Sequence, residues 1–290
     1  MEQEPFAVRH CFGDLDELGE VARAWDVDFR QIGRGRLEGS VIQWATPAAQ
    51  LARVTLSKRV LQRGTPPRGL RTLSIPMAPD IQLFWRGHQV SGQDILAFPR
   101  GGELESVSTP GFDMLAVSVD EGLLDDAAAR RGLGGIIRRL DQREVIALPP
   151  EALQRLRAGL SELVQELVTD PTASPSRVQA HLPALLVEAL GATDREIDVP
   201  SVRARVGLVR EAMDLIRHHG KETLSVTDLC RLVGVTERSL QRGFREVAGI
   251  SPKQFLLAHR LTGVHRELRR ADPAHARVAD LANEWGFWHL

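Results

Sequence analysis

The stretch from Ser225 to Arg270, SVTDLCRLVGVTERSLQRGFREVAGISPKQFLLAHRLTGVHRELRR, constrains the fold more than any other, because start and stop signals for three helices follow one another almost without spacing. Ser225 is placed to cap a helix, Asp228 completes an approximate capping box, and Gly234 ends that helix. Thr236 caps a second helix, with Leu240, Phe244 and Val247 on one face and Arg238, Gln241, Arg242 and Arg245 elsewhere. Ser251-Pro252 opens a third in the favoured order of cap and then proline, and Leu257, Leu261, Val264 and Leu268 give it one buried face. The pattern is two short helices, a tight turn and a strut. Arg pairs bidentately with guanine and Gln with adenine, so an apolar back with an Arg/Gln front suits the major groove of double-stranded DNA. The candidate DNA-contacting residues are Thr236, Arg238, Ser239, Gln241, Arg242 and Arg245.

The order G-V-T-x-R-x-L-Q-R-x-F-x-x-x-x-G-x-S-P-x-x-F-x-x-x-x-R-L resembles the first half of the DNA-binding domain of AraC/XylS-type transcription regulators, and the resemblance extends over residues 202–290. Val278, Leu281, Ala282, Gly286 and Phe287 match the start of that family's second helix-turn-helix, of which only FWHL follows the tryptophan-glycine. The expectation is an incomplete second motif that leaves Trp285, Phe287 and Trp288 without cover and weakens DNA binding. The resemblance implies that Arg238, Gln241 and Arg242 read bases, that activation is the mode of regulation, and that RNA polymerase and a small-molecule effector are partners. Two positions depart from the pattern. Gly243 lies inside the recognition helix, where glycine costs about 1 kcal/mol relative to alanine, and Val264 stands where the strut is usually small.

At 290 residues and 43% apolar content the chain is long enough for two globular domains. Its net charge of −1 hides a division: from Ser201 onward there are 15 Lys+Arg against 10 Asp+Glu, and before it 22 against 28. The basic part is the part with the helix-turn-helix. Cys11 and Cys230 fall in different domains and imply reducing cytosol. MEQEPFAVRH lacks a signal core and no apolar run approaches membrane-spanning length, so a cytoplasmic, nucleoid-associated protein without membrane contact is expected.

Residues 14–30 read as an amphipathic helix leading into a loop. From Leu37 to Val119, short apolar or alternating runs divided by Gly, Pro and Asp predict seven or eight strands in a sandwich or small barrel. Through QIGRGRLEG, the Trp-Arg-Gly turn and TPGFDMLAVSV, this part is similar to the cupin-like effector domains of the same family, especially those of ethanolamine-utilisation regulators. Trp44, Phe84, Trp85, Phe98 and Phe112 are the candidate effector-binding residues, as aromatics inside such a barrel.

Two helices follow, at about 150–168 and 176–190. The stripe Leu153, Leu156, Leu160, Leu163 and Leu167 predicts either a dimerisation hairpin or packing on the barrel, with Pro183 kinking the second helix or marking its start. Residues 194–201 are the expected linker, so the division is an effector domain over 1–130, a helical region over 131–193 and a DNA-binding domain over 202–290.

The fold expected is α+β: a cupin-like β-barrel with flanking helices, then an all-α domain. The function expected is a homodimeric, sequence-specific regulator that is not an enzyme and has no cofactor. A cupin metal site needs several histidines, and His88 is read as structural. Glu103 and Glu105 are read as surface charges rather than catalytic acids. The alternatives are a shortened interaction partner of full-length regulators that does not touch DNA, and a cupin-type enzyme.

Overall fold

Alternation of side chains across strands lets one sandwich present three surfaces that need cover, and each is met by a different layer. The computed structural model describes residues 6–21, 25–86, 88–170, 175–192, 203–221, 224–272 and 277–288, with the backbone but not the side chains of 203–206. The expected linker at 194–201 lies outside the described residues.

Strand β1 (Phe6–Phe12) opens the chain, followed by helix α1 (Leu15–Val21) and β2 (Asp26–Gln31). The helix expected over 14–30 is therefore divided, because DVDFRQ alternates and buries Phe29 as a strand does. The strands β3 (Gly39–Ala45), β4 (Ala49–Leu56), β5 (Val60–Thr65), β6 (Leu70–Pro76), β7 (Gln82–Trp85), β8 (His88–Ser91), β9 (Asp94–Ala97), β10 (Leu104–Ser108) and β11 (Phe112–Asp120) come next. Helices α2 (Glu121–Ala129) and α3 (Ile136–Gln142), strand β12 (Val145–Ala147), and helices α4 (Pro150–Thr169) and α5 (Pro175–Gly191) complete the first part. The remainder is α6 (Arg203–His218), α7 (Val226–Val233), α8 (Glu237–Ala248), α9 (Pro252–Arg270) and α10 (Val278–Glu284).

The strands form a seven-stranded sheet, β1-β3-β4-β11-β6-β9-β12, and a five-stranded sheet, β2-β5-β10-β7-β8, with antiparallel pairing throughout. One apolar cluster lies between the inner faces and includes Leu18, Phe29, Trp85, Phe98 and Phe112. A second joins the outer face of the seven-stranded sheet, through Leu51, Leu73, Leu115 and Val117, to α2–α5. The third joins the outer face of the five-stranded sheet, through Leu61 and Val107, to α6–α9. The architecture is α+β with a sheet-rich N-terminal region and a helical C-terminal domain.

Leu153, Leu156, Leu160, Leu163 and Leu167 are each at most 5% exposed, covered by α5 and the sheet within one chain. The dimerisation reading of this stripe is corrected on physical grounds. The outer positions of β4, β6 and β11 are themselves apolar and need a helical layer, and the α4–α5 hairpin supplies it. Pro183 lies inside α5, which starts at Pro175.

Candidate nucleic-acid interface and barrel cavity

The helix-turn-helix is assembled by its caps. The Ser225 hydroxyl accepts from the Asp228 N–H while the Asp228 carboxylate accepts from the Ser225 N–H, closing a full capping box, and Gly234 ends α7 in the left-handed conformation at φ 72°. The Thr236 hydroxyl caps α8 by accepting from the Ser239 N–H at 3.3 Å. Ser251 and Gln254 close a second capping box at the start of α9, with Pro252 in its first turn.

Leu240, Phe244, Val247 and Ala248 bury the back of α8, with Phe244 edge-on to Phe255 of α9 at a ring separation of 5.6 Å. Gly243 is buried too, and its place in the helix has a local cause. A Cβ there would stand 2.9 Å from Val209 of α6, so the glycine lets the two helices approach. The front of α8 presents Thr236, Glu237, Arg238, Ser239, Arg242 and Arg245 to solvent, with Gln241 half-buried. Gln241 donates to Glu237 at 2.8 Å and Arg242 to Glu246 at 2.7 Å, while Arg238 and Arg245 make no ion pair among the described residues. All six sequence-predicted DNA-contacting residues therefore lie on this one short helix and its cap.

Trp285 is 9% exposed. It packs beside His259, and a Cβ on Gly263 would stand 2.2 Å from its ring. The expectation that Trp285 lacks cover is thus corrected, and the small residue of the strut is Gly263 rather than its neighbour Val264. Trp288 is exposed and Phe287 half-buried.

The helical domain is held to the outer face of the five-stranded sheet. Leu61, Val107 and Phe84 pack among the residues of α6 and α8. Arg63 donates to Asp214 at 2.5 Å, Arg210 to Glu105 at 2.7 Å, Arg266 to Asp28 at 2.7 Å, and Arg59 to the Gly249 carbonyl at 2.7 Å. Glu105 is 5% exposed, so its reading as a surface charge is corrected. Arg30 donates to His259 Nδ1, which leaves His259 Nε2 as the donor to the Gly220 carbonyl at 3.3 Å. Burial first, and then the Arg30 and Arg217 charges, hold the His259 pKa down to about 4. Burial likewise lowers Arg217 to about 10, helped by Arg63 and Arg30. Burial raises Asp28, but Arg30 and Arg266 outweigh it and keep that carboxyl below its ordinary range.

Inside the sandwich lies a cavity of about 80 Å³. Trp85, Phe98 and Phe112 line it, whereas Trp44 and Phe84 point the other way. Alternation explains the split. Gln43 and Ser106 face inward, so their chain neighbours Trp44 and Glu105 face outward, as does Phe84 between Leu83 and Trp85. The sequence reading missed Gln43, Gln62 and Ser106. Their signal is a polar residue at an inward position of an otherwise apolar strand, which is visible only once the register is known.

His88 sits 3.7 Å from Glu144. Among the described residues Asp14, Asp16 and His265 converge, but Arg269 already pairs with Asp14 at 3.0 Å and with Asp16 at 3.6 Å. No helix is long and apolar enough to cross a membrane, among the described residues.

Residues 229–290 match a family model described as a helix-turn-helix domain. The chain is 31% identical over 184 residues to the "Probable thc operon regulatory protein" of Rhodococcus erythropolis, covering 61% of this chain and 55% of that one. It is 26% identical over 98 residues to the "Regulatory protein HrpB" of Ralstonia nicotianae, covering 34% of this chain and 20% of that one. The chain thus spans about half or less of the length of these curated relatives. Among solved structures, the AraC-like transcriptional activator CuxR aligns over 97% of this chain and 100% of that one, at 14% identity and a TM-score of 0.45. The matched stretch takes in most of α7 and all of α8, α9 and α10, so the chain carries a helix-turn-helix domain, and over 61% of its length it is similar to a regulatory protein.

Proposed function

We propose that this chain is a sequence-specific DNA-binding transcription activator whose activity responds to a small molecule held in the barrel, and that it works as a cytoplasmic homodimer with RNA polymerase as a partner. The observation that carries the DNA-reading half is the two-faced α8, with a wholly apolar back and three arginines exposed on its front. Arg238, Gln241 and Arg242 are the base-reading candidates, and Thr236, Ser239 and Arg245 are the phosphate-contacting candidates. Arg242 must leave Glu246 to reach a base edge.

The effector half is supported by a shared wall. Along β5 and β10, Gln62, Leu104 and Ser106 face the cavity, while Leu61, Arg63, Glu105 and Val107 face the DNA-binding domain. A ligand that displaces the backbone of these strands from the inside displaces the outer side chains with it, because both hang on the same backbone. An effector can shift the domain arrangement only by its differential affinity for the two states.

The test is fluorescence anisotropy on genomic DNA fragments across a salt series. Replacing Arg242 by Ala should cost about 1–3 kcal/mol of binding and relax the preference at one base. Unchanged affinity and unchanged site preference would remove the assignment.

A further inference from the structure

We propose that the barrel cavity takes a small uncharged carboxamide-like molecule, held at its polar end by the row Gln62–Ser106–Trp85 and by Gln43 on the facing sheet. This rests on the effector reading above and narrows it to a ligand class.

The register builds the row. Ser106 of β10 stands opposite Gln62 of β5 on one side and opposite Trp85 of β7 on the other, and all three line the cavity. On the facing sheet Gln43, Ala52, Ala116 and Ser74 are successive cross-strand partners over β3, β4, β11 and β6, and they line it as well. The two alanines in the middle of that second row carry little side-chain volume, while Val41, Val54 and Met114 on the next level line the cavity beside them. Small side chains in this row therefore help to open the gap.

Among the described residues, four polar atoms around this gap have no hydrogen-bond partner: Gln43 Oε1, Gln62 Nε2, Trp85 Nε1 and Ser106 Oγ. Their residues are 1%, 6%, 0% and 4% exposed. Buried polar groups are almost always satisfied, so four orphans converging on one cavity call for an occupant. The Trp85 indole can only donate, and the Gln62 Nε2 donates as well, so the occupant must accept. Gln43 Oε1 accepts, so the occupant must also donate. A carboxamide carries both functions on adjacent atoms, and Ser106 can serve either.

Charge and size narrow the class further. Among the described residues no Asp, Glu, His, Lys or Arg lines the cavity, so an ionised ligand would be buried without a counter-charge. At about 10–15 Å³ for each water-sized centre, the space admits a molecule of about five to eight non-hydrogen atoms. Phe98, Phe112 and Met114 provide an apolar wall for its stem.

The test uses the full chain labelled with ¹⁵N and follows the Trp85 indole N–H signal, identified by its loss in Trp85→Phe. Three probes are added in turn: valeramide, valerate at pH 7.5, and dissolved xenon. Valeramide should shift the signal to saturation, valerate at equal concentration should leave it in place, and Gln62→Leu should weaken valeramide at least ten-fold while still taking up xenon, which shows that its barrel is folded. Equal response to valerate, or an undiminished valeramide response in Gln62→Leu, overturns the proposal. A shift with xenon and none with valeramide overturns the ligand class and leaves the cavity standing as an effector site. No shift with either overturns the effector reading as well.

Discussion

The two outer faces of the sandwich are built alike and covered differently. The seven-stranded sheet is roofed by α2–α5 from the same part of the chain, with Leu153, Leu160, Leu182 and Leu186 on Leu51, Leu73 and Leu115 in a mainly apolar seam, at whose edge the buried Arg71 pairs with Glu121 of α2 and Asp141 of α3. The five-stranded sheet is roofed by the C-terminal helical domain, and there Leu61, Val107 and Phe84 share the seam with Arg63–Asp214, Arg210–Glu105 and Arg266–Asp28. Apolar burial is non-directional and grows with area, so the first roof is a fixed part of the barrel. Ion pairs are directional and exchangeable with water, and interfaces between domains are accordingly more polar. The two seams therefore differ in proportion rather than in kind, and the one that leans more on charge pairs is the one made with a separate domain.

The largest expected effect tests the apolar seam. Leu160 is 0% exposed in the middle of α4. Replacing it by Ala should cost about 2–5 kcal/mol through lost transfer energy and the cavity left behind. Urea denaturation followed by tryptophan fluorescence checks this. A loss below 1 kcal/mol would mean that α4 is not fixed to the sheet, and the contrast between the roofs would collapse.

The next test uses pH and touches only the polar seam. His259 is held at a pKa of about 4, whereas an unfolded histidine titrates near 6.5. Between those values the unfolded chain binds a proton that the folded one refuses, so stability falls as pH drops through that window, by about 1.4 kcal/mol per pH unit. Asp28 adds a loss in the same direction at lower pH, because its folded pKa lies below the ordinary carboxylate value. Denaturation midpoints from pH 7 to 4.5 should fall in the wild type and fall less in His259→Gln. A flat wild-type profile would show that the seam does not bury His259.

Legibility followed the same contrast. The helix-turn-helix was readable because caps, turn glycines and apolar spacing are local: Ser225, Gly234, Thr236 and Ser251 stand where the structure uses them. The barrel was readable as strands but not as faces. Trp44 and Trp85 look equivalent in sequence, yet one points to the helical roof and the other into the cavity, because face assignment depends on register. The leucine stripe of α4 told that something covers it, but not whether that was a second chain. Glu105 and Arg210, 105 residues apart, carried no signal of their pairing at all. Gly243 looked like a local defect, and only the approach of Val209 explains it.

A smaller effect concerns the Glu105–Arg210 pair. Glu105→Gln keeps the shape and removes the charge, leaving Arg210, about a third exposed, to solvent. The expected loss is about 1–2 kcal/mol, and a double-mutant cycle with Arg210→Gln should return a coupling of about 1 kcal/mol. Because the pair joins the cavity wall to α6, hydrogen exchange should rise across β10 and α6 together. Exchange rising in only one of the two would mean that the wall does not transmit.

The smallest expected effect separates exposed apolar surface from buried seam within one helix. The exposed large apolar side chains among the described residues, Leu232, Leu257, Leu261, Val278 and Trp288, all lie in the C-terminal helical domain; the buried face expected of Leu257, Leu261, Val264 and Leu268 is thereby corrected, since only Val264 is buried and Leu261 on α9 is 53% exposed. Leu261→Ser should therefore change stability by no more than about 0.5 kcal/mol, as surface substitutions do. Gly263→Ala, two residues along, would drive a methyl into the Trp285 ring and must displace it. Thermal denaturation of both variants under identical conditions compares them directly. If Leu261→Ser proves as damaging as Gly263→Ala, that face of α9 is covered in solution, and the C-terminal helical domain carries a second apolar seam beyond the one it makes with the barrel.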